Sequence, residues 1–320
     1  MLKVGIIGAG ALGTALAQCI SKNLETVYLY ARRPKVVENI NRGYNKDYYP
    51  NILLNKNIVG INDLNEFKDF DCIILTIPSA SLREMMNKLV NIIPKKCLIV
   101  STIKGIEKTT SRTASEVINE LCDNPVVVLS GPNIAREIVL GQPAATTIAI
   151  NEDYEKEILY EIFNSNEFKL QFNHDLIGTE LCGIIKNLLA MSTGICDGLN
   201  VSDSAKFAIL NKGFVETKKI IEKLGGNSDT IFDYCGFGDI VTASTLSVSR
   251  NHTLGVLHGQ KIVIDENKTG VVFEGKNAIL FIKELCSKNN IESSMVDFVY
   301  EVIINKENPE HSFEKIWNTI

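Results

Sequence analysis

A glycine-bearing turn within the first fourteen residues constrains this chain more than any other feature. Met1 to Ile7 is a short apolar run whose only charge is Lys3, and Gly8-Ala9-Gly10-Ala11-Leu12-Gly13 follows at once. Thr14-Ala15-Leu16-Ala17-Gln18-Cys19-Ile20 then reads as a helix. A strand, a G-x-G-x-x-G turn and a helix, in that order, form the context in which the pattern specifies a dinucleotide site. Gly8 permits the tight turn, Gly10 lets the backbone approach a pyrophosphate, and Gly13 lets the helix pack closely on the strand. The helix N-terminus offers N–H groups and a partial positive charge to phosphates. The alternative is a strand-to-helix turn that binds nothing; the clean second strand, Val27-Tyr28-Leu29-Tyr30, weighs against it.

The remainder of the N-terminal half continues this alternation. Asp71 to Ile77, Cys97 to Thr102 and Val126 to Leu129 are apolar runs that end in Pro78-Ser79, Lys104-Gly105 and Ser130-Gly131-Pro132. They read as parallel βαβ units, whose ligands bind at the carboxyl ends of the strands. Ala144 to Ile150 and Phe168 to Phe172 read as two further strands. From about Asp175 the texture changes: Leu181, Ile184, Ile185, Leu188 and Leu189 recur near helical spacing, and β-branched runs thin out. With 320 residues, two domains are the default. The expected architecture is α/β: an N-terminal Rossmann-type doubly wound sheet over residues 1–174 and an all-α substrate domain over 175–320. The active site is expected in the cleft between them.

Composition narrows the function classes. A net charge of −5, with no basic run, argues against nucleic acid as a partner. No apolar stretch approaches the roughly 20 residues that span a bilayer, and the first apolar run lacks a cleavage-site pattern, so a cytoplasmic protein is expected. The 8 cysteines are scattered without a C-x-x-C pair and read as reduced core residues. The 4 histidines show no ligand spacing, so no metal is expected. A homodimer stays open, with no interface legible.

The cofactor's phosphate state is addressed by the end of the second strand. An acid roughly 20 residues past the glycines would hold the ribose 2′-hydroxyl of NAD. Here the strand ends Tyr30-Ala31-Arg32-Arg33-Pro34 instead. A guanidinium suits a 2′-phosphate by charge and fork geometry, so NADP(H) is favoured and NAD(H) stays open. Either arginine, or both, could instead simply face solvent.

Polar clusters mark the chemistry: Thr102-Ile103-Lys104-Gly105, Ser130-Gly131-Pro132-Asn133, Glu180 through Lys186-Asn187, and Gly236-Phe237-Gly238-Asp239 followed by Ser249-Arg250-Asn251-His252. Lys186 stands in an otherwise apolar helix beside Cys182, Ile185, Leu189 and Ala190. A buried ammonium is costly unless paired, and burial is how a lysine becomes a proton donor and acceptor near neutral pH. The alternative, a lysine snorkelling to the surface along its stem, has equal weight on position alone. Asp239 either holds a lysine or caps the following helix; spacing favours capping as its sole role. Arg250 with Asn251 offers a cationic fork beside an amide, a phosphate seat.

Taken in order, these motifs resemble the NAD(P)-dependent glycerol-3-phosphate dehydrogenases of the bacterial type. The resemblance is carried by Gly8 to Gly13, Tyr48-Tyr49-Pro50, Ile77-Pro78-Ser79, Lys104-Gly105, Leu129 to Glu137, Glu180-Leu181-Cys182-Gly183 through Lys186-Asn187, Gly238-Asp239, Ser249-Arg250-Asn251 and Val272-Phe273-Glu274-Gly275. It implies reversible reduction of dihydroxyacetone phosphate to sn-glycerol 3-phosphate, a small phosphorylated substrate whose product feeds glycerophospholipid synthesis. It further implies Lys186 as proton donor and acceptor, Asp239 as the carboxylate beside it, and Lys104 as a contact to substrate and cofactor. Gly131, Asn133, Ser249, Arg250 and Asn251 fall on substrate positions. Ala11, Leu12, Arg32, Ala135, Arg250, Val272 and Glu274 fall with the glycines on cofactor positions, and Arg33 is a cofactor candidate by its place at the end of the second strand. Another β-hydroxyacid or ketoacid reductase of the same build, or a non-catalytic NADP(H) sensor, are the competing readings.

The chain departs from that pattern at several places. Leu12 replaces an aromatic residue, Asn133 stands where Ser or Thr is usual, and Ala243 replaces a threonine, with Thr242 one place earlier. Lys206 and Lys212 stand where arginines are common, keeping charge but losing the fork. None of these removes a proposed catalytic group.

Overall fold

The computed structural model describes residues 2–246, 249–262 and 274–320. The chain divides into two compact units, Met1–Leu176 and Ile177–Ile320. In the first, the order is β1 (Val4–Ile7), α1 (Ala11–Ile20), β2 (Val27–Tyr30), α2 (Pro34–Asn41), β3 (Ile58–Ile61), β4 (Cys72–Leu75), α3 (Leu82–Leu89) and β5 (Leu98–Ser101). The two-residue strands β6 (Ile106–Glu107) and β7 (Arg112–Thr113), then α4 (Ala114–Leu121), lead to β8 (Val126–Ser130), α5 (Ala135–Val139), β9 (Ala144–Ala149), α6 (Tyr154–Phe163) and β10 (Phe168–Asn173).

Eight strands form one sheet in the order β10-β9-β8-β5-β4-β1-β2-β3. The period of two explains why both faces are covered. Val4, Ile6, Cys72, Ile74, Leu98 and Val100 point into one core with Leu16 and Ile20 of α1 and Ile40 of α2. Ile7, Ile73, Leu75 and Ile99 point into the other, with Met85, Met86 and Leu89 of α3 and Val117 and Ile118 of α4. Near-continuous apolar strands are what a doubly covered parallel sheet requires.

Two features go beyond the expectations from sequence. The short run Ile58-Val59-Gly60-Ile61 is a strand pairing with β2. Its glycine, which breaks the β-branched signal, is favoured by close packing: a Cβ there would lie 3.0 Å from the Val37 carbonyl and 3.1 Å from Ile40 Cβ on α2. The sheet also reverses at one edge, where β9 runs antiparallel to β8 and β10 parallel to β9. β1 pairs on one side with β2 and on the other with β4, so the winding changes direction at β1. That switch point is where an open α/β sheet leaves a crevice at its strand ends.

The regular elements described in the second unit are helices: α7 (Leu176–Gly198), α8 (Asp203–Lys223), α9 (Asp239–Thr245), α10 (Arg250–Gly259), α11 (Glu274–Lys288), α12 (Ser294–Ile303) and α13 (Pro309–Trp317). α7 is apolar nearly all round and buried over most of its length, as a helix surrounded by others must be. No helix among the described residues is long and apolar enough to cross a membrane.

Candidate active site

The glycine turn after β1 is built for close approach. Gly8 has φ +121°, and a Cβ on Gly13 would overlap the Gly8 carbonyl oxygen, so helix and turn meet backbone to backbone. A Cβ on Gly10 meets nothing within 4 Å. α1 begins directly after Gly10, with no side-chain cap and no acid in its first turn. Its leading N–H groups therefore carry no side-chain cap, and the helix dipole at that end suits an anion. The turn is braced by three side chains, two of which pattern reading did not single out. Thr76 Oγ1 donates to the Gly8 carbonyl at 2.8 Å. Buried Asn45 donates through Nδ2 to the Ala9 carbonyl at 3.0 Å and to Thr14 Oγ1 at 2.8 Å. Tyr49 donates to the Ala11 carbonyl at 3.1 Å, and burial pushes its phenol up to about 12. The Tyr48-Tyr49-Pro50 motif signalled Tyr49; no local signal marked Asn45. Ala11 and Leu12 are half-buried against the sheet core.

Gly8 to Gly10, Tyr30 to Arg33 and Thr76 to Pro78, at the ends of β1, β2 and β4, line a cleft of about 510 Å³ whose other wall includes Ser81, Glu84, Met85 and Lys88. Size, glycine backbone and cationic rim fit a dinucleotide. Both arginines are exposed. Arg33 donates to Asp47, so the two arginines differ in their surroundings.

At the end of β5, half-buried Lys104 donates from Nζ to the Gly131 carbonyl at 2.8 Å. It thereby joins the loop after β8. Asn133 in that loop is turned toward β9, its Nδ2 donating to Thr146 Oγ1 at 3.0 Å. Asn133 Oδ1 and Ser130 Oγ are buried without a hydrogen-bond partner, the condition of polar groups reserved for something else. Ala135 opens α5 and is half-buried.

In the second unit one helix face organises the chemistry. Residues seven apart on a helix share a face, and Thr179, Lys186 and Thr193 of α7 each meet the Cys235–Ser244 segment. The Cys235 thiol contacts Thr179 Oγ1 at 3.9 Å, Lys186 Nζ donates to Asp239 Oδ1 at 2.6 Å, and Thr193 Oγ1 donates to the Ser244 carbonyl at 3.0 Å. Asp239 is delivered by a π-helical turn over Tyr234–Gly238, a form of helix that recurs at functional sites. Gly236 is obligatory in it, because a Cβ would overlap the Ile231 carbonyl. The Lys186 side chain is 15% exposed and that of Asp239 4%. The geometry decides the two alternatives left open by position: Lys186 is a half-buried, paired ammonium. It also corrects the reading of Asp239, which is the first residue of α9 after N-cap Gly238 and accepts from Lys186 rather than serving only as a cap.

The next stripe of α7, one residue round, carries α10. Asn251 Nδ2 donates to Asn187 Oδ1 at 2.8 Å, next to Lys186. A Cβ on Gly194 would overlap the His252 carbonyl and lie 3.0 Å from Gly255 Cα; one on Gly198 would overlap the Val256 carbonyl. α7 and α10 thus run in the same direction in backbone contact, and the start of α10 is fixed beside Lys186. Ser249 is its N-cap, accepting from the His252 N–H at 3.3 Å. Arg250 is exposed at the first helical position, with no acid in the first turn, so helix dipole and guanidinium present positive charge together.

Of the departures, Thr242 Oγ1 donates to the carbonyl of Gly238, the N-cap of α9, at 2.7 Å. Lys206 pairs with Asp197 and Asp203, which hold its ammonium above the usual range. Lys212 pairs with Glu216. Asp197 also meets His252 Nε2 at 2.8 Å. Burial pushes the neighbouring Cys196 thiol up to about 12, which disfavours thiolate chemistry there. Val272 lies outside the described residues; Glu274 opens α11, and its side chain is outside them too.

Comparison with known proteins covers both units. The family model described as NAD-dependent glycerol-3-phosphate dehydrogenase N-terminus matches residues 3–156, and that described as its C-terminus matches 175–314. The chain is 35% identical over 320 residues to the glycerol-3-phosphate dehydrogenase [NAD(P)+] of Clostridium botulinum, covering 99% of this chain and 97% of that protein. It is 33% identical to the protein of the same name from Bacillus subtilis, over 99% and 94% of the two chains. A crystal structure of glycerol-3-phosphate dehydrogenase from Coxiella burnetii superposes with a TM-score of 0.90 at 28% identity, covering 98% of each chain.

Proposed function

The chain belongs to the NAD-dependent glycerol-3-phosphate dehydrogenase family, and on that premise we propose how its own residues serve the reversible reduction of dihydroxyacetone phosphate to sn-glycerol 3-phosphate. It is an NAD(P)-dependent oxidoreductase; neither a ketoacid reductase nor a sensor is favoured by its relatives. The observation that carries the assignment is the pairing of Lys186 on α7 with Asp239 on α9, one residue along α7 from the Asn187–Asn251 bond that fixes the start of α10. A proton donor on α7 and an anion seat at the start of α10 are thereby held side by side.

Arg250, Asn251 and Ser249 bind the substrate phosphate, so binding energy away from C2 fixes the pose of the reacting carbon. The nicotinamide, when bound, supplies or accepts the hydride at C2. Lys186 Nζ gives its proton to the C2 oxygen during reduction and takes it back during oxidation. Asp239 holds that ammonium in place. The positive charge of Lys186 stabilises the alkoxide as it develops, the largest kind of contribution such sites make. Lys104, Gly131 and Asn133 contact substrate, with Lys104 and Ala135 also contacting cofactor. The glycine turn, Ala11, Leu12 and Arg32 hold the dinucleotide, with Arg32 reading the 2′-phosphate; NADP(H) is the favoured form. Val272 and Glu274 are assigned to the cofactor by resemblance.

The test is turnover of dihydroxyacetone phosphate with NADPH and then NADH, followed by loss of nicotinamide absorbance. Arg250→Ala is expected to raise KM for dihydroxyacetone phosphate by about 10- to 100-fold, the size of a lost charge-assisted bond; an unchanged KM removes the phosphate seat from this helix. Arg32→Ala is expected to raise KM for NADPH by about tenfold and leave NADH unaffected. Equal loss with both cofactors would show that Arg32 does not discriminate between them.

A further inference from the structure

The two walls of the dinucleotide cleft differ in charge: one carries two arginines, the other an acid paired with a lysine. Arg32 and Arg33 stand at the end of β2, and Glu84 and Lys88 stand one turn apart on α3. Arg33 is occupied by Asp47. Glu84 is occupied by Lys88 at 2.6 Å, and that contact, with a smaller contribution from Arg32, holds its carboxyl below the usual range. So Arg32 faces a permanent carboxylate, and Lys88 is withheld by the same acid.

We infer that Glu84 is a specificity-determining residue that restrains the preference for a phosphorylated ribose, by opposing Arg32 across the cleft and by tying up Lys88. A dianionic 2′-phosphate entering this cleft is repelled by the Glu84 carboxylate and must compete with it for Lys88 and Arg32, a cost that an uncharged 2′-hydroxyl does not bear. The chain thus keeps access to both nicotinamide dinucleotides despite lacking an acid after β2. The inference rests on the assignment of Arg32 to the 2′-phosphate made above. It predicts that removing the acid strengthens selectivity, the reverse of what loss of a cofactor ligand does.

The experiment is calorimetric titration of the full chain with 2′,5′-ADP and with 5′-AMP, which differ only in the 2′-phosphate. Glu84→Gln is expected to tighten 2′,5′-ADP by about fivefold, the upper range for exposed charge pairs, and to leave 5′-AMP unchanged. The gain is expected to shrink in about 1 M salt, where the screening length is about 3 Å; a packing effect would persist. Glu84→Gln that leaves the ratio of the two affinities unchanged, or moves both ligands equally, overturns the inference. Arg32→Ala in the same titration separates the two assignments. If it leaves the ratio unchanged, the Arg32 reading fails, while the Glu84→Gln ratio still decides the role of Glu84. Lys88→Gln combined with Glu84→Gln reports the share of the gain that comes from the released lysine.

Discussion

Replacing Lys186 with methionine is expected to lower kcat by about 10³-fold while leaving KM for dihydroxyacetone phosphate within a few-fold of wild type. Methionine keeps an unbranched stem in the α7 face and removes the ammonium, so the phosphate seat on α10 stays in place. The cost is not confined to chemistry. Asp239 is almost wholly buried, and removing one partner of a buried pair typically costs about 3–5 kcal/mol. Lys186 is 15% exposed, so the lower end of that range applies. Asp239→Asn should lose less activity, about 10- to 100-fold, because the lysine remains but its position is no longer enforced by charge. The double variant Lys186→Met with Asp239→Asn separates the two roles. A neutral pair restores most of the stability and none of the activity, since the proton donor is still absent. Thermal melting and dihydroxyacetone phosphate-dependent oxidation of NADPH read the two quantities separately. A Lys186→Met enzyme that retains about a tenth or more of the wild-type kcat would mean that the proton comes from another group.

The same pair shows what a linear sequence reveals and conceals. Lys186 is visible as a charge inside an apolar helix, yet its burial and its partner are not, because Asp239 lies 53 residues away. The helix start after Gly238 gives Asp239 a complete local role as a cap, and local signals outrank distant ones when only neighbours are in view. The glycine turn is the opposite case: strand, turn and helix are contiguous, so the cradle of Gly8, Gly10 and Gly13 is legible at once. What braces it is not, because Asn45 reaches Ala9 from 36 residues away. Strand direction is hidden for a related reason. Ala144 to Ala149 has the composition of a strand whichever way it runs, and only pairing with β8 shows it to be antiparallel. β3 is concealed by Gly60, a residue that weakens the strand pattern yet suits the close approach of α2. In the cofactor cleft, Arg32 and Arg33 read as equivalent in sequence; Asp47 makes them different.

The crossing of α7 with α10 is where the largest structural effect is expected. Gly194 and Gly198 face Gly255 and Gly259, a small-x-x-x-small spacing on both helices that lets their backbones touch. At Gly194 the obstructing atoms are the His252 carbonyl and Gly255 Cα. Backbone cannot rotate away as a flexible side chain does, so an added methyl must push the helices apart. Overpacking of this kind costs about 1–3 kcal/mol when side chains can adjust, and more where they cannot. Gly194→Val is therefore expected to lower the melting temperature by about 10 °C or to prevent folding of the second unit, with Gly194→Ala intermediate. Gly225 supplies the contrast. It has φ +87° and nothing within 4 Å of a Cβ, so Gly225→Ala carries backbone strain alone, about 1–2 kcal/mol. The two substitutions differ further in function. Separation of α7 from α10 stretches the Asn187–Asn251 bond and carries Arg250 away from Lys186, so Gly194→Ala should raise KM for dihydroxyacetone phosphate before it abolishes folding. Gly225 lies at the end of α8, and its substitution should leave KM unchanged at any temperature where the protein stays folded. Parallel melting curves and KM values for these variants test the claim. Gly194→Ala with a wild-type melting temperature and a wild-type KM would show that the helices tolerate separation, and that something other than this crossing sets the phosphate seat beside the proton donor.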